Sequence, residues 1–244
     1  DVTKEASSII LLDDNFASMV AAVEEGRVIY SNIRKFIRYL LSCNIGEILT
    51  MFIGMLMGLP IVLAPIQILW VNLVTDGLPA IALGLEPPEE GVMDRPPRRM
   101  EESVFSDGLL GMMLFRGCLI GLSTLGAFIS VFHLTGDLSS ARTAALFTLV
   151  AVQLIHVFEC KSERRTLPHI HLFNNGWLIA AVLVSAALMY AVIGFPTLRP
   201  VFGTTPLGLA SILRVAGYTC IGPVLSSILF GGKKKPYYRA RTSQ

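Results

Sequence analysis

Three polar side chains stand in a strongly apolar stretch of this sequence, WVNLVTDGLPAIA at residues 70–82. Asn72, Thr75 and Asp76 are spaced i, i+3 and i+4, so a helix places all three on one face. An aspartate at mid-membrane depth costs about 2.5–3.5 kcal/mol on insertion scales, and such residues mark functional sites. The pattern predicts a cation site; the alternative is a polar kink that holds helices together.

The backbone of the same stretch favours the cation site. Gly77 and Pro79 follow the polar residues directly, and Pro79 has no N–H to donate to the preceding turn. A broken helix inside a membrane is tolerated where its backbone lines a cavity. We therefore expect a break here that frees backbone oxygens for a cation.

A second carboxylate lies in an earlier apolar stretch, where Asn44 and Glu47 are spaced i, i+3 and share a helix face. A third apolar segment contributes Gln153, which lies near its middle. The six candidate residues offer up to eight side-chain oxygens and two negative charges. The complete set is Asn44, Glu47, Asn72, Thr75, Asp76 and Gln153.

The donor atoms of this set suit a hard divalent cation. Ca²⁺ takes about 6–8 oxygen ligands, whereas Mg²⁺ gives up its water reluctantly. No cluster of cysteine and histidine in the sequence favours zinc or copper. Two carboxylates neutralise one divalent ion and would leave a second poorly compensated in a low dielectric. The chemistry therefore predicts one ion, with Ca²⁺ as the best fit.

Other charged residues in the apolar segments are interpreted as structural. We expect Glu159 to pair near the membrane surface with Lys161 or Arg164, and Arg116 to extend its charged end towards water. Arg214 lies deeper and is expected to have a partner on another helix.

The composition is that of a membrane protein. The chain of 244 residues is 53% hydrophobic and only 16% charged, against about 25% charged residues in soluble domains. The four cysteines show no paired spacing, so buried free thiols are expected rather than disulfides.

A helical pattern without proline runs over residues 15–57, with Asn15 as a plausible N-cap. Such a helix is roughly 64 Å long, whereas the hydrocarbon core needs only about 30 Å. Its first half should therefore project from the membrane as a stalk, and its second half, from about Phe36, should span it. The alternative is two helices with a break near Gly26.

The rest of the chain predicts five further spans within residues 58–231, with polar loops at 84–108 and 161–175 and a basic tail at 232–244. Residues 1–14 look like the end of a soluble domain. Basic residues concentrate on the stalk side, in both polar loops and in the tail, which places both termini in the cytoplasm. The fold class is thus an all-α membrane protein with six transmembrane helices, the first extended as a cytoplasmic stalk.

Long stretches of the chain resemble the P-type calcium-transporting ATPases, closest to the sarco/endoplasmic-reticulum-like branch and its bacterial relatives. These stretches are DVTKEASSIILLDDNFASMVAAVEEGRVIYSNIRKFIRYLLSCNIGE, WVNLVTDGLPAIALGLEPPE and VMDRPPR, which cover about the first 100 residues. Past residue 108 the likeness is mainly in the hydropathy pattern. The resemblance implies that the chain holds the end of an α/β phosphorylation domain and transmembrane helices five to ten of ten.

The resemblance also implies roles for the candidate residues. Asn44 and Glu47 match the ligands of the fifth helix, and Asn72, Thr75 and Asp76 match those of the sixth. Gln153 falls where the eighth helix of the two-ion pumps has a glutamate, which favours one Ca²⁺ per cycle.

By the same resemblance, the catalytic aspartate of a DKTGT motif, the nucleotide domain and the sites for ATP and Mg²⁺ belong to missing N-terminal parts of the pump. Those parts would be the partners of this chain, together with the lipid bilayer and without nucleic acid, so no catalytic or cofactor-binding residue is expected here. The loop from Asp94 to Arg99 is expected to dock near the base of the stalk. The membrane would be the plasma membrane in a bacterium. The alternatives are a six-span secondary cation transporter or channel, or a pump for another divalent cation such as Mn²⁺.

Overall fold

A computed structural model of the protein describes Glu5, Ile10 and residues 15–89, 91–94, 96–97, 103–106, 108–162 and 172–230. Several sequence predictions lie outside these residues. The prediction that residues 1–14 end a soluble domain falls outside them, except at Glu5 and Ile10. The same holds for the predictions on the loop arginines Arg95, Arg98 and Arg99, on loop residues 163–171 and on the tail from residue 232.

Helix α1 runs without interruption from Phe16 to Leu56, and the side chain of Asn15 caps it by accepting a hydrogen bond from the backbone N–H of Ala17 at 3.0 Å. The helix continues through Gly26, so the alternative of two shorter helices is wrong. Its N-terminal third is mostly exposed, whereas its C-terminal half is packed among other helices. One element therefore joins the stalk to the interior of the bundle.

The chain returns through α2 (Pro65–Trp70), a π-helix (Val71–Thr75) and α3 (Gly77–Leu83). The regular α-helix is interrupted here, as expected, but by a π-helical turn and by Asp76 between that turn and α3, not by an unwound segment. The backbone N–H of Asp76 donates to the carbonyl of Val71 at 2.9 Å, an i→i+5 bond that accommodates one extra residue. Such π-turns are rare and occur frequently at functional sites.

The remaining helices are α4 (Leu109–Thr135), α5 (Leu138–Cys160), α6 (Gly176–Gly194), the short α7 (Arg199–Phe202) and α8 (Leu209–Phe230). Every regular element in the described ranges is helical, as expected for an all-α membrane protein. Within those ranges, five segments are long and apolar enough to cross a membrane: α1, Pro65–Leu83, α4, α5 and α6. The predicted sixth span corresponds to α8, whose apolar part, Leu209–Leu225, is shorter.

The core of the bundle is formed by α1, α4 and α5, with α4 packed most extensively against α1. The two helix backbones approach closely where glycines face each other. A Cβ on Gly117 would lie 2.3 Å from Cγ2 of Ile45, and one on Gly121 would lie 2.9 Å from the carbonyl oxygen of Gly46. Small residues allow close approach of membrane helices, so this crossing fixes α1 against α4.

Polar contacts hold the bundle end opposite the stalk. Arg142 donates to the carbonyl of Ile61 at 2.8 Å, and Gln67 donates to the carbonyl of Phe202 at 2.9 Å. Arg214 has the expected partner on another helix, because it donates to the hydroxyl and carbonyl oxygens of Ser130 on α4.

All four cysteines are free thiols, but only Cys43 and Cys160 are buried. Cys118 on α4 and Cys220 on α8 are exposed, which corrects the expectation of four buried thiols. In a membrane helix an apolar segment has an outer face as well as an inner one, and hydropathy does not tell them apart.

Candidate cation site

Two carboxylates meet inside the bundle at the junction of α1, the π-helix and α5. Glu47 on α1 is 4% exposed, and Asp76, directly after the π-helix, is 0% exposed. The Nε2 atom of Gln153 on α5 donates to Oε1 of Glu47 at 3.0 Å and to Oδ2 of Asp76 at 3.2 Å. A single amide thus joins two acidic groups that come from distant parts of the sequence.

Asn72 adds a second amide to this cluster. Its Nδ2 atom donates to Oε2 of Glu47 at 2.7 Å and to the backbone carbonyl of Ile68 at 3.1 Å. Both oxygens of Glu47 are therefore hydrogen-bonded, one by α5 and one by the π-helix. Four of the six predicted residues, Glu47, Asn72, Asp76 and Gln153, form one connected group.

The other two predicted residues hydrogen-bond to their own helices. Thr75 is buried, and its hydroxyl donates to the carbonyl of Val71 at 2.9 Å. Asn44 is half-buried, and its Nδ2 atom donates to the carbonyl of Leu40 at 2.9 Å. No hydrogen bond described here joins either of them to the two carboxylates, although both have an oxygen that could face a cation after rotation.

Tyr39 contacts the carboxylate cluster and was not among the residues predicted from the sequence. Its hydroxyl donates to Oδ1 of Asp76 at 3.1 Å, and its side chain is completely buried. Tyr39, Cys43 and Glu47 follow each other at intervals of four along one face of α1, and Cys43 is also completely buried. That spacing relative to Glu47 was the available signal, but a tyrosine is ordinary in a transmembrane helix.

The donor set fits a hard cation. The Oε1 atom of Gln153 is buried and has no hydrogen-bond partner among the described residues, which is unusual because buried polar atoms are normally paired. Rotating the amides of Gln153 and Asn72 would exchange their N–H groups for oxygens that face the carboxylates. In the described part of the chain no group of three or more His, Cys, Asp or Glu residues is placed to hold a metal.

The family model for the C-terminus of cation-transporting ATPases matches residues 60–230, which is more than half of the chain. The chain belongs to this family of ATPase C-termini. The matched range contains the π-helix, Asp76 and Gln153, but begins after α1.

Two bacterial proteins are similar to this ATPase C-terminal domain. A calcium-transporting ATPase of Bacillus subtilis (strain 168) is 53% identical over 222 residues, which are 91% of this chain and 25% of that protein. Calcium-transporting ATPase 1 of Bacillus cereus (strain ATCC 10987 / NRS 248) is 41% identical over a match of 250 positions, which covers 96% of this chain and 28% of that protein. The chain thus spans about a quarter of the length of these relatives.

A second polar cluster in this ATPase domain lies on the stalk side of the carboxylates. Arg116 on α4 forms an ion pair with Oε2 of Glu159 at 2.6 Å, and the same oxygen lies 2.9 Å from Nδ1 of His156. Glu159 thus pairs with Arg116 and His156 rather than with Lys161; Arg164, the other expected partner, lies outside the described residues. The expectation that Arg116 extends towards water is also wrong, since its side chain is 7% exposed and faces the bundle. Lys161 instead pairs with Glu86.

Proposed function

We propose that this chain is the membrane domain of an ATP-driven calcium pump and that it binds Ca²⁺ between Glu47, Asn72, Asp76 and Gln153, with Asn44 and Thr75 as further ligands. The observation that carries the proposal is the bridge that Gln153 makes between the two buried carboxylates. The similarity to two calcium-transporting ATPases supports the choice of ion.

The charges support one Ca²⁺ per cycle. Glu47 and Asp76 supply two negative charges, which balance one divalent ion. Gln153 is neutral and stands where the two-ion pumps that the chain resembles have a glutamate. A second Ca²⁺ would enter a region of low dielectric without a counter-charge, which is costly.

The catalytic steps belong to the rest of the protein. By the resemblance, ATP phosphorylates an aspartate in a soluble domain, and the movement of that domain tilts the stalk. Helix α1 carries both the exposed stalk and Glu47, so tilting it changes the distance from Glu47 to Asp76. The affinity of the site for the ion then falls in one of the two conformations of the transport cycle. Protons can occupy the carboxylates of Glu47 and Asp76 after the ion has left. In this arrangement the stalk end of the bundle faces the cytoplasm of a bacterial cell.

The test is ATP-dependent ⁴⁵Ca²⁺ uptake into vesicles that contain the full-length protein, with Asp76→Asn as the site variant. Asp137→Asn is the matched control, because Asp137 is exposed at the N-terminus of α5, away from the stalk, and an amide oxygen also caps a helix. We expect uptake by the wild type and the control, and none by Asp76→Asn. Normal uptake by Asp76→Asn would overturn the site.

The choice of ion and the use of ATP are tested separately. Uptake of Mn²⁺ in preference to Ca²⁺ would retain the site and reject the substrate. Cation flux that needs no ATP would instead favour a secondary transporter or channel. Calcium transported per ATP, expected to be one, decides the stoichiometry.

A further inference from the structure

Glu86 is a buried carboxylate outside the cation site. It lies three residues past the end of α3, is 5% exposed, and follows Asp76 by ten residues. Ten residues of helix span about 15 Å, so Glu86 does not reach an ion bound at Asp76. A buried carboxylate that is no ligand must be held by other partners.

Both oxygens of the Glu86 side chain bind helix ends. Oε2 accepts a hydrogen bond from Nδ2 of Asn175 at 2.8 Å, and Asn175 is the N-cap of α6. Oε1 lies 3.5 Å from Nζ of Lys161, which follows the last residue of α5. The side chain of Glu86 therefore ties the end of α5 to the beginning of α6.

The backbone of Glu86 binds the stalk helix. Nδ2 of Asn32 on α1 donates to the carbonyl oxygen of Glu86 at 2.7 Å and to that of Gly84 at 3.3 Å. One turn further along α1, Lys35 is buried and pairs with Glu89 at 3.3 Å. Residues 84–89 thus fasten the exit of α3 to α1.

Four elements meet at Glu86, namely α1, α3, α5 and α6, and the first three carry the cation site. Glu47 lies on α1, Asp76 lies before α3, and Gln153 lies on α5. Hydrogen bonds between Glu47, Asp76 and Gln153 join these three elements at the cation site. Glu86 joins the same three elements a second time, at the stalk end of the bundle. Two separated junctions fix both the distance and the angle between helices, which a single junction does not.

We propose that Glu86 is a positioning residue for the transported cation: it holds the stalk ends of α1, α3 and α5 together so that Glu47, Asp76 and Gln153 face a common ion. This rests on the proposed function. Glu86 acts through the helices and touches no ion.

The charge of Glu86 is needed as well as its shape. Burial lowers the pKa of Lys161, and the neighbouring Glu86 carboxylate opposes that change, while Lys35 reinforces it. Removing the carboxylate would leave the Lys161 ammonium buried without its counter-charge, which destabilises its position.

The experiment compares Glu86→Ala, Glu86→Gln and the control Asp137→Asn in the full-length protein. The readouts are the Ca²⁺ concentration for half-maximal phosphorylation by ATP and the maximal amount of phosphoenzyme. We expect Glu86→Ala to raise that concentration by about 2- to 30-fold, the range of mutations that alter coupling between sites. The maximal phosphoenzyme should be retained, and Glu86→Gln, which keeps one acceptor, should have an intermediate effect.

An unchanged Ca²⁺ requirement in Glu86→Ala, or a loss of maximal phosphoenzyme without a change in that requirement, would overturn the proposal. An equal shift in Asp137→Asn would also overturn it. If Glu86→Ala does not accumulate in membranes, Glu86→Gln and Lys161→Met are measured in its place. If neither variant changes the Ca²⁺ concentration for half-maximal phosphorylation, Glu86 is not a positioning residue. The wild type and Asp76→Asn report separately on the proposed function. Failure of the pump assignment is therefore not mistaken for failure of the positioning role of Glu86.

Discussion

Arg116 and Glu159 form an ion pair of 2.6 Å between α4 and α5, with both side chains 7% exposed. The pair is extended by His156 on one side and by the carbonyl of Gly222 on α8, which accepts from Arg116 at 3.3 Å. Three helices are therefore joined through one guanidinium inside the bundle.

Removing one member of this pair should destabilise the domain strongly. Glu159→Leu leaves Arg116 as a buried charge, for which the expected loss is about 3–5 kcal/mol. The double variant Arg116→Met/Glu159→Leu should recover most of that loss, because apolar residues of similar volume often replace a buried pair without cost. Unfolding of the purified chain by denaturant in detergent micelles gives both values. Equal losses in the single and double variants would contradict the prediction.

At the close crossing of α1 and α4 we expect a loss of stability from steric overlap rather than from a buried charge. Gly117→Ala places a Cβ 2.3 Å from Ile45, so helices or side chains must shift, at about 1–3 kcal/mol. Gly111→Ala is the matched control on the same helix, because nothing lies within 4 Å of its added Cβ. The control should be neutral or slightly stabilising, since alanine favours a helix over glycine. The same unfolding assay measures both, and a similar loss at Gly111 would show that packing is not the cause.

Asp137 predicts a pH-dependent contribution from a helix cap. Hydrogen bonds from Ser140, and then from Ser139, lower the pKa of this exposed carboxyl at the N-terminus of α5. Because the folded-state pKa lies below the unfolded value of about 3.9, the stabilisation is complete above that value. It is lost as the pH falls through the folded-state pKa.

Asp137→Ala should therefore lower the free energy of unfolding at pH 7 by about 1 kcal/mol, and by less near pH 3. Asp137→Asn is the control, since an amide oxygen also caps a helix but does not titrate in this range. Unfolding midpoints at both pH values provide the comparison. A deficit of the alanine variant that is the same at both would reject the titration of Asp137 as its source.

Gln153 predicts the number of ions carried. Gln153→Glu adds a third carboxylate beside Glu47 and Asp76, which compensates part of the charge of a second divalent ion. We expect the ratio of Ca²⁺ transported to ATP hydrolysed in the full-length protein to rise above one. Gln153→Leu, which has no ligand oxygen, should instead raise the Ca²⁺ concentration needed for half-maximal uptake. A ratio that stays at one in Gln153→Glu would show that charge at this position does not set the stoichiometry.

The two carboxylates could be found from the sequence because an acidic residue in an apolar segment is rare and costly. Asn72 followed from its helical spacing to Asp76. That reasoning identifies a face of one helix, but it does not say which faces meet. Gln153 was placed by its depth and by its match to the eighth helix of the pumps that the chain resembles, and the structure gives its hydrogen bonds.

The errors have the same origin. Arg116 lies near a helix end, and only packing reveals that it faces inwards. Glu86 stands among prolines and acidic residues that are typical of a solvated loop, so nothing local marks it as buried. Gly77 and Pro79 predict an interruption of the helix but not its form, which is a π-helical turn at residues 71–75 followed by a new α-helix from Gly77.

The contacts of Asn32 and Lys35 lie near the middle of the distance between Asn15 and Glu47 along α1. At 1.5 Å per residue, Asn32 lies about 26 Å along the helix from Asn15 and about 22 Å from Glu47. If the loop after α3 acts as a fulcrum, a sideways displacement of Asn15 reaches Glu47 reversed in direction and nearly equal in size. A push of a few ångströms on the stalk would then exceed the tolerance of a Ca²⁺ shell, whose ligands lie at about 2.3–2.6 Å from the ion.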